Sequence, residues 1–265
     1  KANLFISFSI DNDPLSSEEL FKVLKFNIDC SEIEKIFLIS EQDIVLPDDN
    51  DQKKIQIIKK EARPTYADCI EEANKAIRDD MTISIIANAD IYFDDRNLRM
   101  IKELSFEETA YALSRWDMES NGKARHFSYE WSQDTWIFKG KIPAINCDFA
   151  FGFPACDNKF ALEMKKHFRR VGNPSFTIKT YHLHLVNTHN YTEADRLSGD
   201  VLSIGSEGVK AYRKKSMLMI QKGKVGDVLI CLPIARALSK DYLIDWMLPS
   251  QYHHLIDHVD YCRAV

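Results

Sequence analysis

Apolar and polar positions divide the first part of the chain into a regular order. "NLFISFSI", residues 3–10, is an apolar run broken by Asp11, Asn12, Asp13 and Pro14, and it predicts a buried strand. "SSEELFKVLKFNI" then spaces its apolar residues three and four apart behind capping serines, which predicts a helix. A strand ("EKIFLISE"), a solvated loop ("DDNDQ"), a short alternating strand ("KIQIIKK"), a helix opened near Pro64 ("RPTYADCIEEANKAIRD") and a fourth strand ("TISIIANADIYF") follow. This alternation predicts an α/β fold with a doubly wound, mostly parallel sheet and flanking helices. Sheets of that kind bind ligands beyond the carboxyl ends of their strands. Asn88 and Asp90, at the end of "IIANADIYFDD", fall there.

The order is less regular afterwards. "ETAYALSRWD" reads as a strand leading into a loop, "SQDTWIFKG" as a short strand, and "FGFPACDNKFALEMKKHF" as a turn feeding a helix. "SFTIKTYHLHLV" alternates strongly, so His182 and His184 fall on one face of a strand. Three glycines and a charge cluster over 196–216 suggest a connection. A new strand–helix–strand pattern begins with "MLMIQKGKVGDVLICLPIARALSKDYLIDWMLPS", and "QYHHLIDHV" reads as one more helix. A βαβ unit of that size does not readily cover both faces of its own sheet. The expected organisation is a first domain over 1–197, a linker over 198–216, and a partial second domain over 217–265 that packs on the first.

Composition narrows the class. Over 265 residues, 45% are hydrophobic and 28% charged, as in ordinary globular chains, and the net charge of -5 gives no basic field to attract nucleic acid. No apolar run is long enough to span a bilayer and no signal peptide is evident, so a cytoplasmic protein is expected, with room for peripheral association with the inner face of the membrane. The six cysteines are scattered without a CxxC pair, which argues for reduced thiols rather than disulfides or zinc.

Asp90 is the first candidate for chemistry. A strand-end carboxylate can hold Mn²⁺ or Mg²⁺ whose shell is completed by diphosphate oxygens, with Asn88 on the diphosphate or ribose; a polar strand terminus is the bland alternative. His182 and His184 can complete a mixed Asp/His metal site, although strand histidines are more often packed or hydrogen-bonded. Asp157 stands at a helix start, where it is either an N-cap or a general base, and Asp134 competes for the second role. Arg63 and Arg115 suit a diphosphate, or plain surface ion pairs. Tyr66, Trp116 and Trp136 can stack on a base or sugar, or lie in the core.

In their order and spacing, "ISFSID", "RPTYAD", "IIANADIYFD", "LSRW", "SQDTWIF", "GFPACDN" and "KTYHLHLVNTHNY" resemble a GT-A-type nucleotide-sugar glycosyltransferase of surface-glycan biosynthesis. The resemblance covers the first two hundred residues. It implies that Asn88-Ala89-Asp90 stands at the DxD position with asparagine for its first aspartate, leaving Asp90 as metal ligand with His182 or His184. It further implies Asp157 as the base of an inverting reaction. Ser7, Phe8, Arg63, Tyr66, Arg115 and Trp136 then lie around a nucleoside diphosphate sugar, UDP-linked by expectation, and a glycan is the acceptor. "MLMIQKGKVGDVLICLPIARAL" with "IDWMLP" resembles the opening of a heptosyltransferase, a GT-B-type enzyme, with Asp227 at its acceptor cleft. That implies a longer parent chain with two transferase modules. The alternatives are a nucleotidyltransferase and a catalytically inactive glycan- or nucleotide-sugar-binding module, the latter supported by Asn88.

Overall fold

The computed structural model describes residues 1–10, 14–46, 53–119, 121–183, 193–208, 215–239, 242–256, 259 and 262–264. The chain divides into two compact units, Lys1–Ala211 and Tyr212–Val265.

In unit 1 the order is β1 (Ala2–Ser7), α1 (Pro14–Asp29), β2 (Ile33–Ser40), β3 (Ile55–Lys59), α2 (Tyr66–Ala76), β4 (Ile83–Ala87) and β5 (Ile91–Tyr92). α3 (Asp95–Ile101), β6 (Thr109–Leu113), β7 (Trp116–Met118), β8 (Ala124–His126) and β9 (Thr135–Lys139) come next, then α4 (Cys156–His167), β10 (Arg170–Gly172) and β11 (Tyr181–Leu183). The large sheet has the order β10-β6-β9-β4-β1-β2-β3. β9 runs antiparallel to both its neighbours, and the other pairs are parallel. This is the mostly parallel, mixed α/β sheet with flanking helices that the strand–helix alternation predicts. Buried on both sides, its central strands read as continuous apolar runs: Leu4, Phe5 and Ile6 of β1 and Ile85, Ile86 and Ala87 of β4 are sealed from solvent. On one side Phe5, Phe37 and Ile86 join Tyr66 and Ala73 of α2 and Phe160 and Met164 of α4 in a single core.

Two sequence expectations change in instructive ways. "TISIIANADIYF" is not one strand. β4 stays in the large sheet, while β5 belongs to a small sheet ordered β5-β11-β7-β8. The break falls on residues 88–90. Asn88 N–H still donates across to the Asp134 carbonyl at 3.0 Å, and Ile91 N–H then donates back to the Asn88 carbonyl at 3.2 Å, closing a tight turn. Asn27, fully buried in α1, holds the far side of that turn. Its amide donates to the Ile91 carbonyl (2.9 Å) and accepts from Phe93 N–H (3.1 Å). In "SFTIKTYHLHLV" only Tyr181–Leu183 is a described strand. Thr177 and Ile178 N–H both donate to the Pro174 carbonyl, which makes the preceding residues a turn. Residues 184–192, with His184, lie outside the described residues.

Residues 197–204, inside the stretch whose glycines suggested a linker, are anchored within unit 1. Leu197, Leu202 and Ile204 N–H donate to the carbonyls of Pro154, Asn158 and Glu130, and the three side chains join the core around Tyr66 and Phe160.

Unit 2 holds β12 (Lys215–Ile220), α5 (Val225–Leu238), β13 (Tyr242–Met247) and β14 (Cys262–Ala264) in a parallel sheet ordered β12-β13-β14. Ser250–Leu255, expected as a helix, is a 3-10 turn. Its own small core is Val228, Ala235, Trp246, Leu248 and Ile256. Asp227 folds back to accept from Lys224 N–H at 2.7 Å, capping α5. A Cβ at Gly223 would collide with the Asp227 side chain, so this capping arrangement favours glycine there. All six cysteines are free thiols, and no helix among the described residues is long and apolar enough to cross a membrane.

Candidate active site

Three points where chain leaves or enters the large sheet converge on one polar cluster: the Asn88–Asp90 turn after β4, Ser114–Arg115 after β6, and Ser132–Asp134 before β9. Buried hydrogen bonds hold them together. Ser114 Oγ donates to the Ser132 carbonyl (2.9 Å), Asp134 N–H to the Leu113 carbonyl (3.0 Å), and Asn173 Nδ2 to Ser114 Oγ (3.0 Å).

Asp134 is the hub. It is 5% exposed, and its Oδ1 accepts from Asn88 Nδ2 and from Arg115 Nη1, each at 3.1 Å. Arg115 Nε donates to Asp117 Oδ1 (2.9 Å), and its guanidinium lies 4.2 Å from the centroid of Phe127. His182 completes the line. Its Nδ1 is 2.9 Å from Asp117 Oδ1 and its Nε2 is 3.1 Å from Asp90 Oδ2. Cations and carboxylates thus alternate from Asp90 through His182, Asp117 and Arg115 to Asp134.

The electrostatics follow from that alternation. Burial would discharge the His182 ring, but the Asp90 charge and the hydrogen bonds to Asp117 and Asp90 outweigh it and raise the imidazolium to about 10. Burial works against the Asp90 carboxylate, yet the His182 charge holds it below its ordinary value. Asp117 is likewise held down, by its bonds to His182 and Arg115, against the cost of burial. Asp134 goes the other way. Burial, aided by the Asp90 charge, raises it despite Arg115.

Asp157 stands beside this hub in the first turn of α4. It does not cap the helix: the capping position is Ala155, in the left-handed region at φ 69, with no side-chain cap. Instead Asp157 Oδ2 accepts from Gln133 N–H at 3.1 Å, one residue from Asp134. Burial first, and then the Asp134 charge, push the Asp157 carboxyl up to about 6.

Asp90 carries a second signature. Its side chain is 40% exposed overall, but its Oδ1 is sealed from solvent and no described residue donates to it. A buried carboxylate oxygen without a partner calls for a donor or a cation. Mn²⁺ or Mg²⁺ fits two of the residues present. Asp90 offers the orphaned oxygen, and His182 can offer Nε2 once that atom exchanges its proton, while Asp117 keeps the ring oriented through Nδ1. No group of three or more His, Cys, Asp or Glu side chains among the described residues could hold a metal alone. A site with two protein donors therefore needs ligand oxygens, as Mg²⁺ sites commonly do.

Not every sequence candidate reaches the cluster. Tyr66 and Trp136 are fully buried, packed edge to face with centroids 4.9 Å apart, and Tyr66 also stacks on Phe151 at 3.8 Å. Neither has a ring face free for a ligand, so both are core residues rather than stacking platforms. Phe8 is also buried, against Phe21 of α1. Ser7 closes β1 and Ala89 lies in the turn between Asn88 and Asp90; both keep partial access. Arg63 is exposed and lies over Phe153, in the turn entering α4. No hydrogen bond among the described residues ties it to the cluster. Asp117 and Asn27 were missed. The only sequence signal for Asp117 was its place two residues after Arg115, on the same face of an extended segment.

The asparagine at position 88 has a local reason. Its amide donates to a carboxylate, and aspartate there would set two carboxylates about 3.1 Å apart. Asn88→Asp is expected to cost about 1–2 kcal/mol at pH 8 and much less at pH 5, where the raised pair takes up a proton. Thermal melts at the two pH values check this.

No protein-family model matches the sequence, and no curated protein does. Among solved structures, HddC from Yersinia pseudotuberculosis is similar at 13% identity, over 52% of this chain and 77% of its own, with a TM-score of 0.30. A 4-diphosphocytidyl-2C-methyl-D-erythritol synthase is similar at 11% identity over 74% and 94%, TM-score 0.38. The glycosyltransferase GlyE of Streptococcus pneumoniae TIGR4 is similar at 10% identity over 99% and 79%, TM-score 0.38. Likenesses this distant carry no argument about activity.

Proposed function

We propose that unit 1 is a metal-assisted glycosyltransferase that moves a sugar from a nucleoside diphosphate, with UDP the expected nucleotide, to a hydroxyl of a glycan. The observation that supports this best is the arrangement around the start of β9. On one side Asp134 is bonded to the turn that presents the unsatisfied Asp90. On the other its neighbour Gln133 holds Asp157, a carboxyl raised to about 6. A carboxylate for a cation–diphosphate and a carboxyl poised near neutral pH, on either side of one strand end, are what displacement at an anomeric carbon needs.

In this reading Asp157 takes the acceptor hydroxyl proton as that oxygen attacks the anomeric carbon. The bond from that carbon to the diphosphate oxygen breaks, and the diphosphate leaves with the electron pair. Asp90 and His182 would hold Mn²⁺ or Mg²⁺, which when bound offsets charge on the leaving diphosphate. Arg115 has its described hydrogen bonds with Asp117 and Asp134, so its part is to fix and neutralise them. Raised above its usual range, Asp134 orients Asn88 and adds to the field on Asp157.

Calorimetry of the whole protein with UDP and a set of nucleotide sugars, in Mn²⁺ and then in chelator, tests the reading. Cation-dependent binding is expected. Asp90→Ala should weaken it on the order of 100-fold without loss of fold. Failure of every nucleotide sugar to bind in Mn²⁺, or an Asp90→Ala variant that binds like the parent, would overturn it. Release of pyrophosphate from a nucleoside triphosphate would point to nucleotidyl transfer instead.

A further inference from the structure

Beside the cluster, residues 127–131 carry a row of rings that the proposed reaction does not use. Phe127 packs between the Arg115 guanidinium (4.2 Å) and Tyr129 (4.8 Å between centroids), and Tyr129 packs on Trp131 (4.9 Å, interplanar angle 30°). The row runs outward. Tyr129 is 49% exposed and Trp131 59% exposed, an unusual place for two large rings side by side.

Hydrogen bonds pin the turn that bears them. Ser132 N–H donates to the Tyr129 carbonyl (3.3 Å). The Glu130 carbonyl accepts from Ile204 N–H (2.9 Å) and from the fully buried Gln133 side chain (2.8 Å). Gln133 is also the residue whose N–H holds Asp157. One short segment therefore fixes the exposed rings and the raised carboxyl together, so a ligand on the rings meets a surface already in place.

We propose that Tyr129 and Trp131 are the stacking platform for a pyranose ring of the acceptor glycan, set beside Asp157. The direction of this proposal rests on the transferase reading. Sugar rings offer a face of weakly positive C–H groups, which suits the negative face of an aromatic ring. Charge separates this occupant from a nucleotide. Glu130, exposed in the chain between the two rings, sets a carboxylate at the platform that repels a phosphate and accepts hydrogen bonds from a neutral polyol.

The test uses the whole protein, a panel of methyl pyranosides (gluco, galacto, manno, xylo and 6-deoxy) at millimolar concentration followed by saturation-transfer NMR, and UDP with Mn²⁺ followed by calorimetry. At least one pyranoside is expected to bind. Trp131→Ala and Tyr129→Ala should each weaken it roughly five- to tenfold, the size of one lost ring contact, with melting temperature and UDP affinity unchanged. Trp131→Phe should keep most of the binding. The proposal is overturned if no pyranoside binds the parent, if the alanine variants bind as well as it does, or if UDP affinity falls in parallel, which would give the rings to the nucleobase. The transferase reading fails separately: pyranoside binding through Trp131 with no nucleotide-sugar binding would leave a glycan-binding surface and remove the transfer reaction.

Discussion

Asp157→Asn is expected to give a protein that binds its donor, melts higher than the parent above neutral pH, and transfers on the order of 10²- to 10⁴-fold more slowly. The two effects have one origin. Asparagine keeps an oxygen that can accept from Gln133 N–H, so the local geometry survives. It cannot take a proton, so the acceptor hydroxyl loses its base. The stability gain follows from the raised carboxyl. Its folded value of about 6 lies above the unfolded value of about 3.9, so the fold prefers the neutral acid. Below pH 4 both states hold the proton and the substitution changes little. Between about pH 4 and 6 the unfolded chain gives up this proton while the folded carboxyl beside Asp134 keeps it, so the parent loses up to about 3 kcal/mol over that window, and above pH 6 the variant holds the full gain. Urea unfolding at pH 4, 6 and 8, with transfer assayed on the same samples, measures both. A variant that is inactive but no more stable at pH 8 would remove the buried-charge argument. One that turns over normally would hand the proton to another group, and Asp134→Asn is the matching control.

How far the sequence showed this site depends on which physical signal each residue leaves. The sheet was legible because strands covered on both faces leave continuous apolar runs, as in "NLFISFSI" and "TISIIA". Asn88 and Asp90 were legible as polar residues at the end of such a run. The turn between them was not, because the capture of Ile91 and Phe93 by Asn27 joins residues 64 and 66 positions apart, and no local pattern records that. The same holds for Asp117. Its meaning comes from lying opposite His182 across a parallel pair of strands that are short, and strands of three residues carry too little periodicity to be seen. Tyr66 and Trp136 failed in the other direction. An aromatic residue near a motif reads the same whether it faces solvent or core, and here the packing of α2 and α4 on the sheet decided for the core. The rings that do face solvent, Tyr129 and Trp131, lie in a turn whose pattern gave no reason to single them out.

Arg115→Met is expected to be the most destabilising single change in the cluster, at about 3–5 kcal/mol near pH 8. Methionine replaces much of the stem and its contact with Phe127, so what is lost is mainly the charge and its two hydrogen bonds. The remaining cluster then sets Asp90, Asp117 and Asp134 against His182 alone. Asp90 and Asp117 keep their bonds to the imidazolium, so the burden falls on Asp134, whose side chain is only 7% exposed and whose one remaining strong donor is Asn88. The loss depends on pH. Asp134 is already raised by burial with Arg115 present, and removing the guanidinium raises it further above its unfolded value. The neutral form is then the one the fold prefers, so the deficit of the variant should shrink as pH falls toward 5 and grow as it rises. Asp134→Asn added to Arg115→Met removes the charge left without a partner and keeps an acceptor for Asn88. The double variant should therefore be more stable at pH 8 than Arg115→Met alone, a coupling that a mere loss of packing around Phe127 would not produce. Equal stability of the single and double variants, or a loss independent of pH, would show that Arg115 acts through contact rather than charge, and that the alternation of cations and carboxylates does not hold this site together.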